Sequence, residues 1–383
     1  MRTLLASGLG IFVMCGPALA QGQTMPWGQS SDMIAWEVFA QITSNSGHPV
    51  TRKVEFETWA SDEDVYQKNP AQWPSIDAPK QLQASVLGRV NAPPALVPFA
   101  FTPGACIPPG GLGDAAKDSG FPADGCVGEE VRRNWASFQY IVSNGLDSKS
   151  GLVRAFARDF KVDLPSDAVE FKGDWAPVAD VVRWLKPKDS SIDAARVRQS
   201  YYTSSVTTNG VATEVALLGF HFATKQIKNW VWSDFEGQLN PGRCDVIGCH
   251  DGFGAVISDV KPKDQSYQFY GECQKSDALT AMLQNAGTDP IWSNYCLKGS
   301  QVTFVQDGKP TLLGNSIIEP LAADVPIAKS SCITCHGYAS FNSAGRANFQ
   351  ALGSNPVGDV DPANMQGFRG YDFLWAPAIR MKP

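Results

Sequence analysis

Near its C-terminus the chain reads Cys332-Ile333-Thr334-Cys335-His336. Two thiols three residues apart, followed at once by a histidine, form the C-x-x-C-H pattern at which a c-type haem is attached. In that pattern each thiol forms a thioether bond to one vinyl group of the haem, and the histidine becomes the proximal axial ligand of the iron. The motif therefore predicts one covalent haem c, held by Cys332 and Cys335 and ligated by His336.

Two other kinds of site also contain a C-x-x-C pair: thioredoxin-like redox sites and zinc sites. A redox pair usually follows a strand of a βαβ unit, and a zinc site needs a second pair of ligands at a matched spacing. The histidine that directly follows Cys335 favours the haem, and so does the exported character of the chain.

The first twenty residues have the pattern of a secretory signal peptide. Arg2 is positively charged, residues 4–13 are mostly apolar, and Ala18-Leu19-Ala20 is a small-x-small cleavage site, so we expect cleavage after Ala20. The apolar run is too short for a good transmembrane helix, and no later stretch approaches the roughly 20 apolar residues of a membrane span. These features predict an exported protein without a membrane span, which is periplasmic in a Gram-negative bacterium.

The cysteines indicate an oxidising compartment. Of the nine cysteines, Cys15 lies in the signal peptide and two belong to the haem motif, which leaves six. An even number in an exported chain predicts three disulfides, and pairing of sequence neighbours is the simplest of the fifteen connectivities. The expected pairs are Cys106–Cys126, Cys244–Cys249 and Cys273–Cys296. The alternative for one of them is a metal site at Cys244, Cys249 and His250.

Charge and periodicity indicate the partners and the fold class. A net charge of -6 and a pI of about 5.3 argue against a nucleic-acid partner, because phosphates require a basic surface. Helical periodicity predicts helices over 33–42, 131–146 and 277–285. From residue 168 the pattern changes to strands, predicted at 168–175, 200–207 and 211–223, with Asn209-Gly210 as a hairpin turn.

The C-terminal segment is too irregular to enclose a haem alone. Residues 316–383 contain the motif, but the tail after His336 is rich in Gly, Asn, Pro and Ser and does not end in an amphipathic helix. We therefore predict an α+β fold with a β-rich body over 21–315. The short haem c-binding segment, 316–383, would pack onto that body rather than form an independent domain.

Scattered motifs resemble a group of exported bacterial "cytochrome c family" proteins. The main one is Trp230-Val231-Trp232-Ser233-Asp234-Phe235-Glu236, preceded by His221 and Lys225 and followed by Asn240-Pro241. The family pattern has His, Lys, Trp-x-Trp-x-Thr-Phe-Glu-His and Asn-x-Pro in this order. Asp234 replaces the expected Thr and Gly237 the expected His, so no role of that second His carries over. The resemblance supports the haem and implies no particular reaction.

The sixth ligand of the iron decides between electron transfer and ligand chemistry. His221, near the end of the best predicted strand, is the first candidate for the distal ligand, and Met365, in a Gly-rich loop after the motif, is the second. A hydrogen-bonded strand histidine and a packed loop methionine are the alternatives for these two residues. Met381, His250 and His48 are weaker candidates.

Other residues near these motifs have less specific interpretations. Asp234 and Glu236 share one face of a predicted strand, as paired catalytic acids do, but carboxylates more often accept backbone hydrogen bonds. Lys225 is expected to pair with a haem propionate or with one of these acids. Trp230 and Trp232 would line the haem edge or belong to the core.

We therefore expect a mono-haem cytochrome that exchanges single electrons with a periplasmic redox partner protein. Two alternatives stay open because the body is large for that task. One is a haem enzyme with an open distal side, peroxidase-like or oxidising a small exported substrate. The other is a sensor or binding module that contains a haem.

Overall fold

The main sheet is built around one long strand, β5 (Val211–Thr224). The computed structural model describes residues 29–47, 54–77, 80, 82, 119–122, 124–208, 211–264, 266–323, 325–352 and 356–375. The other strands of this sheet are β1 (Ala60–Ser61), β2 (Gly128–Arg133), β3 (Val169–Pro177), β4 (Thr203–Thr208), β6 (Val231–Gly237) and β9 (Tyr295–Gln301).

All pairings in the sheet are antiparallel, in the order β1-β2-β3-β5-β6-β9. One edge of β5 pairs with β3. The other edge pairs first with β4, which ends in the Thr208↔Val211 pair of the predicted hairpin, and then with β6. Short two-stranded ribbons complete the strands: β7 (Cys249–His250) with β8 (Asp259–Val260), β10 (Val305–Gln306) with β11 (Lys309–Pro310), and β12 (Ser340–Asn342) with β13 (Phe368–Gly370).

Eight α-helices surround the sheet in the described residues. They are α1 (Gln29–Ile42), α2 (Trp135–Ser143), α3 (Lys149–Ala157), α4 (Val178–Leu185), α5 (Ala194–Ser200), α6 (Asp277–Asn285), α7 (Cys332–Gly337) and α8 (Phe349–Leu352). This content confirms the α+β class with a β-rich body. The helix predicted over 277–285 has the expected bounds, and the one predicted over 33–42 begins four residues earlier.

The helix predicted over 131–146 was wrong at its start. Residues 131–133 belong to β2, and α2 begins only after Asn134, whose side chain accepts from the Ser137 amide. The reason is that Arg133 is buried in an ion pair with Asp62, which a helical register would expose. Trp135, the first residue of α2, is 52% exposed. Two strands, β1 and β2, thus precede residue 168.

One face of the sheet carries an aromatic core. Phe171, Phe220 and Phe235 stand on neighbouring strands, with ring centroids 5.4 Å apart at each step. They pack against α1, α6 and Trp292. Aromatic pairs of this kind contribute about 0.5–1.5 kcal/mol each beyond the area they bury. This core makes this face of the sheet rigid. It also fixes which side chains of β3, β5 and β6 point to the opposite face.

The opposite face of the sheet packs on the C-terminal residues. Ala223 and Trp232 share an apolar cluster with Cys332, Phe341 and Tyr371. Side chains of a strand alternate between faces, so His221, Lys172 and Asp234 lie on this second face as well. Both faces of the central strands are therefore covered, which explains why charged residues in β3 and β6 are buried.

Disulfides hold the loops beyond β6. Cys244 is bonded to Cys249 and Cys273 to Cys296, which are the pairs expected from the sequence. Cys126 is also disulfide-bonded, while its expected partner Cys106 and the predicted signal peptide lie outside the described residues. In the described part of the chain, none of the helices has the length and apolar character to cross a membrane.

Candidate haem and metal centre

The motif residues form a short helix that the body holds by its N-terminus. In α7 the amide of Ile333 donates to the side-chain carbonyl of Gln301, at 2.9 Å. The side-chain amide of Gln301 in turn donates to Ser331 Oγ and Thr311 Oγ1. Gln301 is the last residue of β9 and is 1% exposed. The central sheet thereby fixes where the two cysteines and His336 stand.

Both motif cysteines are free thiols in the described structure. Cys332 is buried and Cys335 is partly accessible. Burial raises the pKa of Cys335 to about 11 and that of Cys332 well above its usual value. Reactive redox pairs have lowered thiol pKa values. The raised pKa values of Cys332 and Cys335 are the opposite of what a thioredoxin-like pair requires.

His336 is oriented by the tail of the chain. Its Nδ1 lies 2.8 Å from the carbonyl oxygen of Phe373. Burial, followed by the charge of Lys172, lowers the pKa of His336 to about 4, so the ring is neutral and Nδ1 is the donor. This assignment leaves Nε2 as an acceptor. Metal-ligating histidines usually have such a backbone or carboxylate partner on the other nitrogen.

The carbonyl that orients His336 sits in an unusual backbone. Asp372 and Phe373 have φ values of 49° and 70°, in the left-handed region that non-glycine residues rarely adopt. Asp372 is held by Lys225 at 2.6 Å and by the amide of Leu164 at 2.7 Å. The expectation that Lys225 pairs with Asp234 or Glu236 was therefore wrong, while its pairing with a haem propionate stays a prediction. Its charge fixes the tail instead, because Asp372 comes closer.

His221 lies across from His336. The two imidazole centroids are 6.4 Å apart and the rings are nearly perpendicular, at 88°. Two imidazoles that bind one metal ion from opposite sides would have centroids about 6.3 Å apart, given metal–nitrogen bonds of about 2.0–2.1 Å. Burial, then the charges of Lys172 and His336, lowers the pKa of His221 well below its usual value. Its Nδ1 is buried without a hydrogen-bond partner among the described residues.

Met365 is placed elsewhere. It ends a 3-10 turn, Pro362–Met365, and packs beside Tyr338, Ala351 and Trp375 in a separate small apolar cluster. Its sulfur lies 3.8 Å from Ser340 Oγ and 3.9 Å from Asn348 Nδ2. The structure thus places the ring of His221, but not the side chain of Met365, next to the ring of His336.

The remaining histidines and Met381 are not at this centre. His250 is half-exposed and pairs with Asp259 at 2.6 Å, beside the Cys244–Cys249 disulfide. Because both sulfurs are in that disulfide, the alternative metal site at Cys244, Cys249 and His250 was wrong. His48 and Met381 lie outside the described residues.

Aromatic side chains surround the two histidines. Trp232 lies 4.5 Å from the His336 ring, and Phe373 lies 6.0 Å from Trp232 and 6.3 Å from Phe304, all between ring centroids. Trp232 and Trp230 also belong to the buried cluster on this face, so the core interpretation is confirmed for both. Trp230 instead donates weakly to Asp372, at 3.4 Å.

Buried polar groups lie next to His221. One ligand atom each of His221, Asp234, Glu319 and Cys332 lie within 4.8 Å of one another. Burial, then the charges of Glu319 and Glu236, raises the pKa of Asp234 well above its usual value. Burial raises the pKa of Glu319 to about 7. Glu236, the other predicted acid, is structural: it accepts from the Ser316 amide at 2.7 Å and lies near Lys298.

Sequence reasoning missed Gln301, Glu319 and the second-face residues of β3. A signal for the latter existed: Glu170, Lys172 and Asp174 alternate with Phe171, Gly173 and Trp175. Such alternation usually means one solvated face, whereas here Asp174 is fully buried. A strand that is covered on both faces but carries charged side chains on one of them indicates an internal polar site.

These residues fit a c-type haem. Two free thiols, an imidazole with Nε2 left as acceptor and a second imidazole at the span of one shared metal ion satisfy its attachment and ligation. Comparison of the chain with known proteins found no matching family model, no matching curated protein and no matching solved structure.

Proposed function

We propose that the protein is an exported mono-haem c-type cytochrome that exchanges single electrons with a redox partner protein. Cys332 and Cys335 hold the haem, and His336 ligates the iron through Nε2. The observation that carries the proposal is the hydrogen bond from His336 Nδ1 to the Phe373 carbonyl, which orients the ring as a metal ligand. When bound, the haem supplies a one-electron iron couple.

Cys332 and Cys335 would hold the haem through two thioether bonds, each formed by addition of the thiol S–H across one vinyl group, with no change in oxidation state. The two thiols are free and lie within one turn of α7, as this attachment would require. The segment from residue 316 then packs against the sheet through Cys332, Phe341 and Tyr371, so the body forms part of the pocket.

His221 is the sixth ligand in this proposal. The 6.4 Å span and the perpendicular rings support it, and β5 holds the side chain in a rigid strand. A strong ligand on each side of the iron closes it to external molecules, as electron transfer requires.

One observation favours a second candidate, a haem enzyme with an open distal side. Asp234 and Glu319 are buried carboxyl groups beside His221, where acids can move protons during catalysis. In that case His221 would stand next to the iron without ligating it.

Visible spectra of the purified haem-loaded protein distinguish the two candidates. The proposal predicts a low-spin reduced spectrum that carbon monoxide leaves unchanged. The His221→Ala variant should become high-spin and bind carbon monoxide, whereas Met365→Leu, the matched control, should retain the unmodified spectrum. Ready binding of carbon monoxide by the unmodified protein would favour the enzyme. A change to high spin in Met365→Leu would identify Met365, and not His221, as the sixth ligand.

A further inference from the structure

Asp234 stands directly opposite His221 in the sheet. The register pairs His221 of β5 with Asp234 of β6, and antiparallel pairing puts opposite side chains on the same face. Opposite residues have Cβ atoms about 4.5–5.5 Å apart, so their side chains can meet. Asp234 is fully buried. The neighbour of His221 on the other side, in β3, is Lys172.

The two side chains carry complementary atoms that lack partners. Asp234 Oδ1 accepts from Asn315 Nδ2 at 2.6 Å, but Asp234 Oδ2 has no hydrogen-bond partner within the described ranges. His221 Nδ1 is likewise buried and unpartnered there. A ring nitrogen of His221 and a carboxylate oxygen of Asp234 lie within 4.8 Å. An unpaired buried polar group destabilises the fold, so a bond between them would remove two such costs.

The other groups around His221 are less suited to accept from Nδ1. Lys172 is a cation and donates only. Glu319 already accepts from the backbone amide of Asn315 through Oε2. Cys332 Sγ is a weak acceptor and is assigned to a thioether. Asp234 Oδ2 is therefore the acceptor best placed for an Nδ1–H group.

We propose that Asp234 is a positioning residue for the sixth ligand: its Oδ2 accepts a hydrogen bond from His221 Nδ1–H while His221 Nε2 ligates the haem iron. This inference rests on the proposed function. With the Asp234 carboxyl group as acceptor, the arrangement would fix the tautomer of His221 and raise its basicity as a ligand. A more basic His221 would stabilise the oxidised iron and bind it more tightly.

The test compares Asp234→Asn with Asp174→Asn in the haem-loaded full chain. Both variants remove one fully buried carboxyl group from the same face of the sheet, but Asp234 stands opposite His221 whereas Asp174 stands opposite Gly219. We expect Asp234→Asn to shift the one-electron equilibrium at least tenfold towards reduction, about 59 mV. We also expect at least tenfold faster binding of carbon monoxide to the reduced protein. In Asp174→Asn the binding rate should stay unchanged, whatever the loss of the carboxyl group does to the potential.

Equal effects of the two variants on both measurements would overturn the proposal, because charge alone would then explain them, and no effect of Asp234→Asn would also overturn it. If Asp234→Asn does not fold, Asp234→Thr takes its place, since a β-branched residue suits a strand and Thr is expected here in the resembling family. Metal analysis of the unmodified protein should find one iron per chain. A second stoichiometric metal that is lost in the Asp234 variant would assign these donors to a metal site instead.

Failure of the proposed function looks different in the same samples. If the unmodified chain contains no covalent haem, or if His221→Ala leaves its spectrum low-spin, the haem or the sixth ligand is wrong. If the unmodified chain contains covalent haem and His221→Ala becomes high-spin, but the Asp234 comparison fails, only the positioning role of Asp234 is wrong.

Discussion

At the scale of single residues, the hydrogen bond to His336 depends on an ion pair far from it in sequence. Phe373 presents its carbonyl from a left-handed backbone, and such strain persists only where surrounding contacts impose it. Lys225 and Asp372 supply those contacts, and their side chains are 8% and 7% exposed. The tail of the chain thus acts as an outer support for the His336 side chain.

Replacing Asp372 with Asn should therefore weaken both the fold and the site. Breaking a buried ion pair costs about 3–5 kcal/mol, and we expect about 2–3 here because Asp163 still lies near Lys225. Chemical denaturation measures the loss, and the fraction of chains carrying haem should fall with it. Asp159→Asn breaks only a surface pair with Arg369 and serves as control, with a change below about 0.5 kcal/mol. Equal losses in both variants would contradict this account.

At the scale of elements, a buried glutamine connects β9 to α7. Gln301 serves Ile333, Ser331 and Thr311 at once, so the last residue of the sheet positions the first turn of the motif helix. A methionine has a similar shape but cannot make these bonds, and its introduction would leave several buried groups unpaired.

Gln301→Met should lower the free energy of unfolding by about 2–4 kcal/mol, because each unpaired buried group costs about 1–3. Hydrogen exchange at the Ile333 amide should become faster as well. The control is Gln284→Met on the exposed side of α6, which should alter neither quantity. Unchanged protection of Ile333 in the Gln301 variant would show that α7 is held by other contacts.

The turn Ile318–Ala323 makes a prediction about pH. Burial raises the pKa of Glu319 to about 7, above its unfolded value of 4.5. The folded state therefore binds the proton more tightly, and this contribution to stability is complete below pH 4.5 and lost as pH rises through about 7. Glu319→Gln cannot titrate, so its stability relative to the unmodified protein should rise by about 2–3 kcal/mol between pH 5 and 8. A pH-independent difference in denaturation midpoints would contradict the assignment.

At the scale of the whole molecule, local patterns predicted more than long-range ones. The strands from residue 168, the hairpin into β5 and the helix α6 follow from periodicity and turn residues that act within a few positions. The β2 strand was missed because a distant ion pair, Arg133 with Asp62, overrides the helical pattern of 131–146. The support of His336 by Phe373 was also beyond local reasoning, since it needs the fold of the tail. The approach of His221 to His336 was anticipated, but the buried carboxyl groups beside it were not.

The covalent attachment of haem is best tested by intact mass measurement. The protein is purified from cells that can attach c-type haem and is then denatured in acid. We expect a chain heavier by one haem that stays attached after denaturation. We also expect that changing both Cys332 and Cys335 to Ala removes that mass. An unmodified chain of the bare polypeptide mass, or a haem that survives loss of both cysteines, would contradict this expectation.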